Sequence, residues 1–216
     1  MSRLKVSTQE KEPGMQLAFS ETSPYVRKVR ICAIERGLAD NIELVPTTVL
    51  PTEKNPEYTR DGNPLGKIPA LRLDCGQVIY NSGVICEYLD SLPGGDQLIP
   101  ADASRWAVLT QHHLASGILD ALVALRYETW LRPENLRWSD WAEGQQRKAF
   151  QAMDWFEAHP EMRHGPLNLA QISLGCALGY WNFRFADLDW RQYSGLKAWY
   201  AEFSQRPSMQ ATQPPA

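Results

Sequence analysis

The sequence lacks the features that mark several common classes of protein. Its 216 residues include four cysteines, with no CxxC pair and no metal-ligand spacing among them. Its net charge is -3 and it has no basic stripe, which argues against a nucleic-acid partner. The N-terminal segment is charged and has no apolar core, so we expect no signal peptide. The longest apolar-rich run, residues 167–185, is too short and too polar to span a bilayer.

These absences predict a cytoplasmic protein with free thiols that binds no metal, nucleic acid or membrane. Cys32, Cys86 and Cys176 fall in apolar helical patterns, where a cysteine usually packs as a small hydrophobic residue. Cys75 falls in an apparent turn, and we expect it to be exposed.

Strand and helix patterns alternate through residues 15–92, whereas residues 1–14 have no periodicity and are predicted to be a disordered arm. The order is β-α-β and then β-β-α, with one parallel and one antiparallel half. The elements are, in order, a strand from Met15, a helix after Ser23-Pro24, a weak strand at 41–47, a hairpin turning at 74–77 and a helix from about Gly83.

The second part of the chain has helical patterns and no convincing strand. Proline and glycine make residues 93–101 a linker, and residues 102–216 are predicted to form an all-helical domain. Helices are expected over 103–131, from a capping box at Asp140 and Glu143 to about 158, from a capping box at Asn168 and Gln171, and over about 190–204. The third of these is apolar nearly all round, so we expect it in the middle of its domain.

Three short segments of the first part have the chemistry of a binding site. Ser23 lies at a strand-to-helix junction, where free backbone N–H groups and the helix dipole favour an anion such as a thiolate. Its hydroxyl can donate a hydrogen bond to sulfur, or Ser23 can serve only as the cap of the helix.

The second segment is Ile68-Pro69, directly before a strand that the hairpin makes internal. A proline there indicates either a cis peptide bond, which leaves the backbone of Ile68 free to pair with an extended peptide, or a trans proline on an edge strand. The third segment contains Asn81 and Ser82 at the start of a second helix. Ser82 can hold a carboxylate through its hydroxyl and backbone N–H, or it can be a helix cap.

Taken together, the stretches TSPYVRKVR, NPLGKIPAL and IYNSGVICEYLD resemble the glutathione transferase family, most strongly over residues 15–90. The resemblance continues in residues 126–134, 167–185 and 206–212, and is to bacterial, serine-type members. It implies a thioredoxin-like α/β domain (βαβ–ββα) followed by an all-α domain, and a homodimer.

By this resemblance, Ser23 takes the position that hydrogen-bonds the glutathione thiol. Cysteine-type members have a cysteine there, so the serine argues against a disulfide reductase. Ile68, followed by Pro69, matches the position whose backbone pairs with the cysteinyl part of glutathione, and Ser82 matches the one that binds the γ-glutamyl carboxylate. Asn81 departs from the commoner glutamate or glutamine, and a neutral amide bonds the ammonium without charge assistance.

The implied activity is that of a glutathione S-transferase, with glutathione as co-substrate and a small hydrophobic electrophile as acceptor. Tyr25 is also expected in the glutathione site, and it or Thr22 would contact the thiol if Ser23 does not. No metal is needed, because catalysis is thiolate stabilisation and proximity. Candidates for the acceptor pocket on the first long helix are His113, Ser116, Asp120, Arg126, Tyr127 and Trp130.

Two other hypotheses remain at this point. One is a glutathione-dependent isomerase, dehalogenase or peroxidase on the same scaffold. The other is a non-catalytic glutathione-transferase-like binding protein, because a fold by itself does not establish a function.

Overall fold

The computed structural model describes residues 14–215, so the predicted disordered arm lies, apart from Gly14, outside the described residues. The first domain is a four-stranded sheet in the order β2-β1-β3-β4, and the thioredoxin-like βαβ–ββα arrangement is confirmed. Its strands are β1 Met15–Phe19, β2 Ile42–Pro46, β3 Ala70–Leu73 and β4 Val78–Tyr80. Its helices are α1 Pro24–Glu35, α2 Pro56–Asp61 and α3 Ser82–Ser91.

Helix α1 connects the sheet to the rest of the molecule. Its predicted apolar stripe, Val26, Val29 and Ala33, is buried, as is Leu17 of the central strand β1. The helix packs against α3 within its own domain and against the second domain on its other side. The N-terminus of α1 is therefore held at the contact between the two domains.

The second domain is all-helical, as predicted. Its helices are α4 Arg105–Arg126, α5 Ser139–Ala158, α6 Leu169–Arg184, α7 Ser194–Phe203 and α8 Pro207–Gln210. Helix α6 is buried over most of its length, and the capping box of Asn168 and Gln171 is confirmed. The stretch Arg105–Leu131 has the length and mean hydropathy, 1.2, of a membrane span, but half of that window is buried in the protein. A core helix of a globular domain has the same composition.

Two helix starts differ from the sequence-based expectation. The capping box predicted at Asp140 and Glu143 is wrong, because α5 begins at Ser139 without a side-chain cap. The carboxylate at this end belongs to Glu128, which accepts a hydrogen bond from the N–H of Trp138 at 2.7 Å. The last long helix begins later than predicted, at Ser194, because Trp190 is in a turn where its indole donates to Asn182 at 2.9 Å.

Polar contacts connect the two domains and the linker between them. The linker is anchored by Asp90, whose carboxylate accepts hydrogen bonds from the N–H groups of Leu98 and Ile99 at 2.7 and 3.0 Å. Near the end of the chain, Arg206 donates two hydrogen bonds to Glu35 of α1, at 3.0 and 2.9 Å. A site between the domains is thus framed by hydrogen-bonded contacts from both of them.

Candidate functional site

The three segments singled out by the sequence meet at one edge of the sheet. Strand β3 runs antiparallel to both β1 and β4. The carboxyl ends of β1 and β4 and the amino end of β3 therefore lie at the same edge. Ser23 follows β1, the Ile68–Pro69 bond precedes β3, and Asn81 follows β4. The topology thus brings together groups that are far apart in the chain.

Ser23 caps helix α1. Its hydroxyl oxygen accepts a hydrogen bond from the N–H of Val26 at 3.3 Å, and Pro24 is the first helical residue. This bond is long for an N–H···O contact, and it leaves the hydroxyl proton free to donate. The capping role and a role in binding an anion are therefore compatible in one residue, next to the positive end of the helix dipole.

Ser23 lines a small cleft between the two domains. Residues from α6 form the opposite wall, among them Cys176, whose thiol is buried. Burial raises the pKa of Cys176 to about 11, so this thiol stays protonated near neutral pH and is not a competing nucleophile. The cleft is lined by Glu21, Thr22, Ser23, Pro24, Arg27, Cys176, Tyr180, Phe183 and Pro214.

The segment before β3 has a fixed backbone shape. The Ile68–Pro69 bond is cis, which is one of the two geometries that the sequence left open. Pairing of β3 with β4 begins at Ala70, so Ile68 lies just outside the ladder. The buried amide of Asn63 donates to the carbonyl of Lys67 at 2.8 Å and holds the preceding loop in place.

At the start of α3, the residue that caps the helix is not the residue predicted to bind the ligand. The cap is Asn81, with φ of 76°, whose side-chain oxygen accepts from the N–H of Gly83 at 2.8 Å. Ser82 is the first helical residue, so the interpretation of Ser82 as the cap is wrong. No hydrogen bond found within residues 14–215 uses the Ser82 hydroxyl, which is therefore available to a ligand, as is its free backbone N–H.

A neutral histidine supports this helix start from the second domain. A Cβ atom at Gly83 would lie 2.9 Å from Nε2 of His112, so only glycine lets α4 approach this closely. The other ring nitrogen of His112 is 2.6 Å from the hydroxyl of Ser173 in α6. Burial, with help from the charge of Lys28, lowers the pKa of His112 to about 3, so the ring is neutral.

Helix α1 makes two further polar contacts with α4. Tyr25 donates a hydrogen bond from its phenol to Asp120 at 2.6 Å, and burial together with the Asp120 charge raises the pKa of Tyr25. Lys28 is 1% exposed and donates to the hydroxyl of Ser116 at 3.0 Å, and burial lowers its pKa. The raised pKa keeps the phenol of Tyr25 protonated near neutral pH. Tyr25 is therefore unsuited to act as a base toward a thiol.

The acceptor candidates on α4 do not form one cluster. His113 is exposed and lies beside His112, with 4.9 Å between ring centroids. Tyr127 and Trp130 lie at the other end of α4, in a π-helical turn covering Tyr127–Leu131. Residue 127 is 14 positions after residue 113, which is about 21 Å along a helix. A single small-molecule pocket beside Ser23 cannot include both ends.

Two residues near the second end were missed by the sequence analysis. Tyr180 lines the cleft with Ser23, and Arg184 is one turn further along α6. Both fall in a helix whose apolar composition indicated only a core role. Their signal in the sequence was weak, because an arginine in the last turn of a helix is also a common partner of the helix dipole.

No group of three or more His, Cys, Asp or Glu side chains that could hold a metal ion is found in the part of the chain that the structure describes. A groove of about 740 Å³ lies elsewhere and does not include Ser23. It lies along β4 and α3, with Tyr80, Val84 and Arg105 in its walls.

The fold and this arrangement of segments are those of the glutathione transferase family, and comparison with known proteins agrees. A family model of the glutathione S-transferase N-terminal domain matches residues 22–92, and one of the C-terminal domain matches residues 139–202. The chain belongs to the glutathione transferase family.

Similar proteins come from several bacteria. The chain is 46% identical to a glutathione transferase family member from Pseudomonas fluorescens Pf-5, solved with bound glutathione, with 94% of this chain and 100% of that chain covered and a TM-score of 0.91. A structure of a family member from the same strain contains S-(propanoic acid)-glutathione; it is 45% identical, covers 93% and 100% of the two chains and has a TM-score of 0.86. The uncharacterized GST-like protein YibF of Escherichia coli (strain K12) is 32% identical over 187 residues, 82% of this chain and 86% of that one.

Proposed function

We propose that this protein is a glutathione S-transferase that activates the thiol of bound glutathione for attack on a small electrophile. The observation that carries the proposal is the meeting of Ser23, Ile68 and Ser82 at one edge of the sheet. Glutathione bound in a relative of 46% identity supports glutathione as the ligand.

The residues fit glutathione in three places. The carboxylate of the γ-glutamyl group binds the Ser82 hydroxyl and N–H at the start of α3, where the helix dipole favours an anion. The oxygen of Asn81 that caps α3 has a second lone pair for the ammonium group. The cysteinyl part pairs with the backbone of Ile68, which extends the sheet by one short strand.

Catalysis then depends on the thiolate. The Ser23 hydroxyl donates a hydrogen bond to sulfur, and the N-terminus of α1 adds its partial positive charge, so the thiol loses its proton near neutral pH. The sulfur attacks a carbon of the electrophile and forms a C–S bond. The displaced electron pair leaves with a leaving group or, in an addition, passes to the neighbouring carbon, which takes a proton from water. Tyr25 positions the two domains through Asp120.

We also propose a cytoplasmic homodimer. Tyr80 and Val84 lie at the large groove and are 44% and 51% exposed, and Trp106 is 71% exposed beside Arg105 of the groove wall. Exposed apolar side chains around one groove are typical of an interface between subunits. A second copy of the chain is the expected occupant. Light scattering should give a dimer mass for the wild type and a monomer mass for Trp106→Glu with Val84→Glu.

Binding to immobilised glutathione and thiol conjugation, measured for the wild type and for Ser23→Ala, test the proposed activity. The proposal predicts that both proteins bind and that the variant loses activity. Binding without activity in the wild type would favour a non-catalytic binding protein. A wild type that does not bind glutathione would contradict every glutathione-dependent function.

A further inference from the structure

Two arginines lie at the C-terminal ends of α4 and α6, helices that pack on each other and meet at His112 and Ser173, 14 positions before Arg126 and 11 before Arg184. Arg126 is the last residue of α4, and Arg184 is the last residue of α6, the helix against which α4 packs. Their charges affect each other, since burial lowers the pKa of Arg126 and the positive charge of Arg184 lowers it further. Two like charges that act on each other favour the binding of an anion between them.

In the described part of the chain, no acidic side chain pairs with either arginine. Among the ion pairs found within residues 14–215, none includes Arg126 or Arg184. Glu128, two positions after Arg126, is committed to Arg132 at 2.7 Å and to the N–H of Trp138. Nε of Arg184 is buried and has no hydrogen-bond partner among the described residues. A buried N–H without a partner costs free energy that a ligand oxygen would recover.

Aromatic rings hold the two guanidinium groups in place. Arg126 lies over the ring of Trp130, with 4.5 Å from the guanidinium carbon to the ring centroid. Arg184 lies over Phe183 at 3.8 Å. Stacking leaves the edges of a guanidinium group free, and these edges carry the N–H donors that bind carboxylates in pairs. Trp130 belongs to the π-helical turn after α4, a type of distortion frequent at functional sites.

Arg184 directly follows a residue that lines the cleft in which the proposed thiolate forms. Phe183 and Tyr180 line the same cleft as Ser23. Burial raises the pKa of Tyr180, and the positive charges of Arg184 and Arg126 oppose that effect. The field of both arginines therefore reaches into the cleft. Asp120, the carboxylate bound to Tyr25, is not among the charges that act on Tyr180 or Arg126.

From these contacts we infer that the acceptor side of the cleft selects electrophiles that carry a carboxylate, bound by Arg126 and Arg184 while an apolar part packs on Trp130 and Phe183. The inference rests on the proposed transferase function and names its class of substrate. It replaces the expectation of a purely hydrophobic acceptor with an anionic, partly apolar one.

Two glutathione conjugates of nearly equal size test the inference by equilibrium binding. S-(2-carboxyethyl)glutathione carries a carboxylate where S-propylglutathione carries a methyl group. Calorimetry with the wild type should give a dissociation constant about tenfold lower for the carboxylate, as expected of charge-assisted bonds. Arg126→Met and Arg184→Met should each remove most of this preference without changing the affinity for S-propylglutathione. The preference should also shrink at high salt.

Arg137→Met is the matched control, because Arg137 is an exposed arginine near the same turn. It should keep the tenfold preference. If the methionine variants do not fold, as judged by circular dichroism, Arg126→Lys and Arg184→Lys keep the charge and should retain part of the preference.

Several results would overturn the inference. Equal affinity of the wild type for both conjugates would do so while leaving the glutathione site in place. An equal loss of affinity for both conjugates in the arginine variants would mean that the two arginines bind glutathione itself or stabilise the fold. Lysine variants that bind S-propylglutathione normally and have no preference would also contradict it. A wild type that binds neither conjugate nor glutathione would remove the proposed function as well.

Discussion

The N-termini of α1 and α3 lie at one edge of the sheet, but they are built differently. At α3, Asn81 caps the helix and leaves the hydroxyl of Ser82 without a partner among the described residues. At α1, Ser23 is both the cap and the residue proposed to contact the thiol, through a cap bond of 3.3 Å. Stability and function are therefore separable at α3 and combined at α1.

The largest expected effect is at α1. In Ser23→Ala the hydroxyl donor to sulfur is lost, and kcat/KM for conjugation should fall about 100-fold, the usual loss for one donor to a developing anion. The free energy of unfolding should fall by about 1 kcal/mol, because the cap is lost too. Steady-state kinetics and urea unfolding measure the two quantities. Thr22→Val removes the neighbouring hydroxyl and should keep most of the activity; a larger loss there would transfer the thiol contact to Thr22.

At α3, the substitution that should lower stability is that of the cap residue, Asn81. Asn81→Ala removes the bond to Gly83 and places alanine at φ of 76°, so it should cost about 2 kcal/mol in urea unfolding. Asn81→Gly also removes the cap but tolerates this φ, and should cost about half as much. If the two variants are equally stable, the positive φ does not contribute.

At α3, the substitution that should weaken glutathione binding is that of the next residue, Ser82. Ser82→Ala should raise the dissociation constant for glutathione about tenfold, because a hydrogen bond to a carboxylate is lost. Its unfolding free energy should stay within about 0.5 kcal/mol of the wild type, since Asn81 still caps the helix. Ser91→Ala, at the other end of α3, is the control and should change neither calorimetric affinity nor stability. A destabilised Ser82→Ala would show that capping and binding are not separate.

The smallest expected effect is a pH dependence of stability due to His112, which lies against the start of α3. The pKa of folded His112 is lowered to about 3, whereas in the unfolded chain it is about 6.5. Between these values the unfolded state binds more protons, so stability falls as pH falls. The loss due to His112 should be about 1 kcal/mol from pH 6.5 to 5.5. Urea unfolding of His112→Gln should lack this contribution, while exposed His113→Gln should keep it; equal slopes in both would contradict the account.

Local chemistry made much of the first domain predictable. The start of α1 was predictable from Ser23-Pro24, the hairpin from its glycine-containing turn, and the helix itself from its apolar periodicity. Each of these signals involves only residues that are neighbours in the sequence. The capping box at Asn168 was predictable for the same reason.

Contacts between distant segments could not be predicted in this way. Tyr25 and Asp120 are 95 positions apart, and no periodicity relates them. The predicted capping box of α5 was wrong because the carboxylate at that helix end comes from Glu128. This residue lies before the turn and not inside the helix. Arg126 and Arg184 come together only when α4 packs on α6. The glutathione side of the site was therefore easier to predict than the acceptor side.

The most direct test is the titration of the glutathione thiol while it is bound, followed by thiolate absorbance in the ultraviolet. The account predicts that binding to the wild type lowers the thiol pKa to about 7 or below, from about 8.5 for a free thiol. In Ser23→Ala, bound glutathione should titrate close to the free thiol. Equal thiol pKa values in the wild type and in Ser23→Ala would contradict the role assigned to Ser23.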